Sequence, residues 1–113
     1  MDNQFQTGSI SQVQNFLNAK LNQWGFADET LHERLLLLTE EVGELIHACR
    51  KISGMNNDQA REITKQAGEE IADILNLVFA VGIKLDLNIE NEFLKVIDKV
   101  DQRTYKRADV NIN

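Results

Sequence analysis

Proline is absent from this 113-residue chain, cysteine, tryptophan and tyrosine occur once each, and there are only six glycines. Without proline, long helices meet no obstacle, and the turn residues that punctuate strands are scarce. The expected fold class is therefore all-α. A single cysteine, Cys49, excludes an internal disulfide and any cysteine-based zinc site; it lies on an apolar helical stripe, where packing is the expected use. No apolar run is long enough to span a bilayer and no basic-then-apolar leader precedes the first helical pattern, so a cytoplasmic setting is expected. Positive charge is also short. Twelve Lys+Arg against 18 Asp+Glu leave a net charge of −6, a field that repels phosphate polymers and anionic membranes and argues against binding either. A local basic stripe remains compatible with a small phosphate ligand. A chain of this length makes one domain, and a partner subunit would help it bury apolar surface.

What is present is helical periodicity. After a polar segment, 1–8, read as a frayed end, Ile10, Val13, Leu17, Leu21 and Trp24 repeat at threes and fours from Ser9 to a stop at Gly25. Thr30 and Glu33 have capping-box spacing, and Leu31, Leu35, Leu38, Val42, Leu45, Cys49 and Ile52 continue the period to about Ser53 and Gly54. Asn56 with Gln59 caps a third helix, whose stripe is Ile63, Ala67, Ile71, Ile74, Leu77, Val78, Val81 and Leu85, ending near Asp86. Asn88 caps a fourth, with Phe93, Val96, Ile97 and Val100 expected inward and Lys95, Lys99, Arg103 and Lys106 gathered on another side. The expected layout is one domain over 9–108, with a short tail at 109–113.

Carboxylates interrupt two of these stripes. On the second helix Glu41 and Glu44 lie about 60° apart, among Leu37, Leu45, Ala48 and Ile52. Glu40 falls farther round, on the side of Glu33 and His47. On the third, Glu70 sits inside the apolar arc and Asp73 follows one turn later, while Glu69 points away. Carboxylates about 4 Å apart repel by roughly 4 kcal/mol at an effective dielectric near 20, so such a group needs protons or a cation. Four inward carboxylates make an all-oxygen donor set, which favours Mg²⁺, or Mn²⁺, over zinc. No inward histidine completes the Glu-x-x-His arrangement of di-iron bundles. The competing reading is a solvated or salt-bridged acidic face, but Arg34 is the only inward cation on the second helix.

The text L-L-L-L-T-E-E-V-G-E-L-I-H-A at 35–48, G-E-E-I-A-D-I-L at 68–75 and L-D-L-N-I-E-N-E-F at 85–93, with 25 residues between Glu44 and Glu70, resembles the all-α nucleoside triphosphate pyrophosphohydrolases of the MazG-like group. The resemblance implies Mg²⁺-dependent cleavage of an NTP or dNTP between its α and β phosphates, giving a monophosphate and pyrophosphate. It implies Glu41, Glu44, Glu70 and Asp73 as metal ligands and Glu40 as the group that orients or deprotonates water. Lys95, Lys99, Arg103 and Lys106 would then neutralise phosphate. Asp101 stands where the family usually carries Asn. Asn76, one turn beyond Asp73, is a candidate to reach the ligand, and Trp24 to stack on the base. A homodimer or homotetramer is the expected assembly. Two alternatives stay open: the phosphoribosyl-ATP pyrophosphohydrolase branch, which would share the metal site, and a catalytically silent helical dimerisation module, whose stability would not respond to Mg²⁺.

Overall fold

The structure, a computed structural model, describes residues 4–52 and 56–103. Four helices follow in chain order: α1 Ser9–Gln23, α2 Leu31–Cys49, α3 Asn57–Lys84 and α4 Ile89–Asp101. No strand occurs among the described residues, so the all-α class holds. No helix there is long and apolar enough to cross a membrane.

Each of the last three helices starts on a side-chain cap. Thr30 accepts from the Glu33 amide and Glu33 reaches back to the Thr30 amide. Asn56 and Gln59 make the same reciprocal pair, and Asn88 accepts from the Asn91 amide. These bonds satisfy amides that a helix start leaves without a partner. Helix α1 is different: its cap residue is Gly8, φ 92°, which has no side chain to offer. Its capping oxygens come from Glu90 on α4, which accepts from the amides of Gly8, Ile10 and Ser11 at 2.8, 3.0 and 3.1 Å. Gln14 on α1 clasps the segment before α4 as well, donating to the Leu87 carbonyl and accepting from the Ile89 amide. Ahead of α1, in the segment expected to fray, Phe5 lies 6.0 Å from Phe93 ring to ring.

Helices α2 and α3 form an antiparallel hairpin, since Arg34 meets Ala80 and Glu41 meets Glu70. Helix α1 packs on α3, and α4 on α1. The turn from α3 into α4 is tight. Asp86 takes a left-handed φ of 58°, the Leu87 amide returns to the Gly82 carbonyl, and Ile89 presses so close to Gly82 that a Cβ there would lie 2.6 Å from it.

Three expectations need correction. Helix α2 stops at Cys49, several residues short of Ser53, with Lys51 and Ile52 in a turn. The phase of two apolar stripes also shifts by one residue. The covered residues of α2 are Leu31, Arg34, Leu38, Glu41, Leu45 and Ala48, while Leu35, Val42 and Cys49 are exposed. On α3 the covered run is Ile63, Ala67, Glu70, Ile74, Leu77 and Val81, with Ile71, Val78 and Leu85 exposed. Both seams alternate steps of three and four, the spacing by which two helices keep one face together. Finally, Phe93, Val96, Ile97 and Val100 are exposed rather than inward, because α4 packs edge-on against α1 and no described helix covers its other side.

The buried core is small: Leu17, Leu21, Phe79 and Ala80, supported by Ile10, Ile83 and Ile89. Arg34, only 2% exposed, is fully occupied at its edge. It donates to the carbonyls of Ala80 at 2.6 Å and Phe26 at 3.0 Å and pairs with Glu29 at 3.4 Å.

Candidate metal and phosphate site

Two helical turns beyond Arg34, the α2/α3 seam carries the opposite charge with no such compensation. Carboxylate oxygens of Glu41, Glu44 and Glu70 lie within 4.8 Å of one another. Oε2 of Glu41 and Oε2 of Glu70 are buried and meet no hydrogen-bond donor. Arg34 is committed to carbonyls and Glu29, so it does not neutralise them. The Glu41 carboxyl is consequently pushed up to about 7. The largest cause is the facing Glu70 carboxylate, with which Glu41 can form a hydrogen bond only by taking up a proton; burial follows, then the charges of Glu70, Asp73 and Glu40.

These residues fit a hard divalent cation. Donors in such sites stand about 2.0–2.6 Å from the ion, so oxygens within 4.8 Å of each other can share one. The ion would supply the partner that the two orphan oxygens lack. Asp73 is exposed, lies outside the 4.8 Å group, and acts on Glu41 through its charge.

Beside the carboxylates opens a cavity of about 460 Å³, lined on α2 by Glu40, Glu44 and His47 and on α3 by Gln66, Glu69 and Glu70, with Lys51 at its end. Glu40 thus shares a wall with Glu44 and Glu70 although helical geometry sets it farther round. Glu69, expected to point away, also lines it. No α4 residue does. Lys95 pairs instead with Glu92 at 3.6 Å, Lys99 belongs to α4, which packs on α1, and Arg103 follows two residues after that helix ends. Lys106 lies outside the described residues. Trp24 and Asn76 do come together, in an apolar hollow of about 220 Å³ shared with Leu37 and Leu77, where Trp24 is 55% exposed.

From the sequence His47 has no expected role, since it lies off the inward face, and neither Lys51 nor Gln66 stands out. The signal was available, since 44, 47 and 51 continue the helical step from a metal-ligand candidate toward the end of α2.

Fold and site together define a class: a helical protein in which carboxylates of two antiparallel helices face each other next to an open cavity. Residues 29–108 match the MazG nucleotide pyrophosphohydrolase domain, and the chain belongs to that family. The match takes in all five acidic candidates and leaves α1, with Trp24, outside. The Uncharacterized protein YpjD of Bacillus subtilis (strain 168) is 33% identical over 70 residues, which are 62% of this chain and 63% of that protein; the aligned part thus spans under two thirds of the relative's length. No solved structure matches.

Proposed function

We propose that the protein is a Mg²⁺-dependent nucleotide pyrophosphohydrolase that converts an NTP or dNTP and water into the corresponding monophosphate and pyrophosphate. The observation that carries this reading is the donor-free pair of buried oxygens on Glu41 and Glu70, set in a chain of this family. Glu41, Glu44 and Glu70, with Asp73 at their edge, would hold Mg²⁺ or Mn²⁺. Such an ion, when bound, offsets phosphate charge and makes water more acidic. Glu40, an exposed carboxylate lining the same cavity, would take the proton of the attacking water as the bond between the α phosphate and the leaving pyrophosphate breaks. No side-chain nucleophile is required. Trp24 and Asn76, with Leu37 beneath them, form the hollow for base and sugar, stacking on one and hydrogen bonding the other.

Self-association belongs to the same reading. Ile71 and Leu75 on α3 and Val96 on α4, each more than half exposed, are apolar side chains that a second copy of the chain would cover. A substrate role for Lys95, Lys99 and Arg103 requires such an assembly, since within one protomer they do not line the carboxylate cavity.

Phosphorus NMR of the full chain with Mg²⁺ and a panel of NTPs, dNTPs and phosphoribosyl-ATP tests the activity. The expected products are a monophosphate and pyrophosphate; a diphosphate with orthophosphate refutes the assignment. Glu40→Gln is expected to lower turnover at least about 100-fold while keeping the Mg²⁺-induced rise in melting temperature. Loss of that rise makes Glu40 a ligand, and an unchanged rate removes it from the reaction.

A further inference from the structure

The last turn of α2 and the turn after it carry three bases. His47, Arg50 and Lys51 alone line a hollow of about 220 Å³, and His47 and Lys51 also line the carboxylate cavity, so the two share a wall. Among the described residues no hydrogen bond or ion pair engages any of the three side chains. They stay uncommitted although Glu40, Glu44, Glu69 and Glu70 line the neighbouring cavity.

The chemistry along the hairpin is ordered. At one end Leu37 meets Asn76, Leu77 and Trp24 in the apolar hollow. In the middle stand Glu41, Glu44 and Glu70. At the other end are His47, Arg50 and Lys51. Leu37 to Glu44 is seven residues, about 10 Å of helix, and Lys51 follows seven residues later, in the turn after α2 ends. A nucleoside triphosphate presents its groups in the same order: a flat base, the phosphate to be cut, then two phosphates that carry most of the charge.

We propose that the basic hollow at the end of α2 is the subsite for the β and γ phosphates, so that the nucleotide lies along the hairpin with its base toward Trp24 and its tail toward Lys51. The inference rests on the pyrophosphohydrolase reading. Pyrophosphate leaves with its charge developing on the bridging oxygen, and cations fixed beside it favour that departure as well as binding. Bases at a helix C-terminus also have a plainer use, in complementing the helix dipole. That use predicts a loss of stability on their removal and no change in affinity for phosphates, which separates the two.

The test is isothermal titration of the full-length protein in Mg²⁺ with inorganic pyrophosphate, an α,β-methylene nucleoside triphosphate and the matching monophosphate. Lys51→Gln and Arg50→Gln are each expected to weaken pyrophosphate and the triphosphate analogue about tenfold, the worth of one charge-assisted contact, and the double substitution further. Monophosphate affinity and the Mg²⁺-induced rise in melting temperature stay at wild-type values, and Lys51→Arg restores the tail affinity. Unchanged pyrophosphate affinity in the double variant, or an equal loss for the monophosphate, overturns the subsite. Product analysis on the same samples keeps the two ideas apart. Wild type that releases pyrophosphate while the variants bind it normally sinks the subsite alone. Wild type that releases none from any nucleotide sinks the function, and the titration still decides whether the hollow takes a diphosphate.

Discussion

In the α1/α4 half of the molecule, Glu90 is 6% exposed and accepts three amide hydrogen bonds; in the α2/α3 half, Glu41 faces another carboxylate with an oxygen that meets no donor. The same side chain therefore titrates in opposite directions. The amides of Ser11 and Gly8 hold the Glu90 carboxyl below its ordinary range, while Glu70 and burial push Glu41 up to about 7. Arg34 extends the contrast within one seam, since it is as buried as Glu90 and as fully partnered. Burial of charge does not mark a functional centre in this protein. Burial without a partner marks the candidate, because the missing interaction would have to come from a proton or from something the chain lacks.

The largest test of that contrast is to neutralise the unpartnered pair. Glu41→Gln or Glu70→Gln is expected to cut Mg²⁺-dependent turnover at least about 100-fold, because each removes a hard anionic donor. Both should abolish the Mg²⁺-induced rise in melting temperature and, with repulsion relieved, raise the melting temperature of the metal-free protein. Wild-type turnover and metal response in both variants would take the pair out of the site. Next comes the partnered cation. Arg34→Ala is expected to cost about 3 kcal/mol in urea unfolding, because two carbonyls and Glu29 lose their donor. A cost near zero would show that this end of the seam does not depend on it.

The smallest effects are in pH, and their signs differ. A carboxyl whose pKa is raised on folding binds its proton more tightly in the folded state. Glu41 therefore withdraws stability from the metal-free protein as pH climbs from its ordinary 4.5 to about 7. Glu90, whose pKa is lowered, contributes stability that is complete above 4.5 and is lost as pH falls through its depressed value. Glu41→Gln should flatten the melting profile in the upper window only, and Glu90→Gln in the lower only, with a modest drop in melting temperature. Mg²⁺ affinity should rise with pH up to about 7, as the ion replaces the Glu41 proton. A pH-independent Mg²⁺ affinity between pH 5 and 8 would contradict the raised value for Glu41.

Features set by neighbours in sequence could be read directly. The caps at Thr30, Asn56 and Asn88 are made within three residues, and the periodicity that gives four helices is local too. The phase of the seams was harder. Leu35, Val42, Ile71 and Val78 are apolar and keep a helical step of their own, so they draw a stripe through exposed positions, while the true seams pass through Arg34, Glu41 and Glu70. A rule that seeks the most apolar face misplaces a seam that carries charge. Glu41 and Glu70 were nevertheless visible as interruptions of an apolar pattern, whereas Glu44 and Asp73, expected inward with them, are exposed. Pairings across the fold, Glu90 with the start of α1 and Arg34 with Ala80, have no local signature. They depend on which helices meet, and periodicity does not say.

The Glu90 clasp joins residues 79 to 82 positions apart, and that separation has a consequence for how the chain matures. The opening turn of α1 is synthesised well before α4, yet its capping oxygens do not exist until position 90 has been made and α4 has docked. The amides of Ile10 and Ser11 should therefore exchange with deuterium at the rate at which α4 lifts away, so that two residues near the beginning of the chain report on the docking of its last described helix.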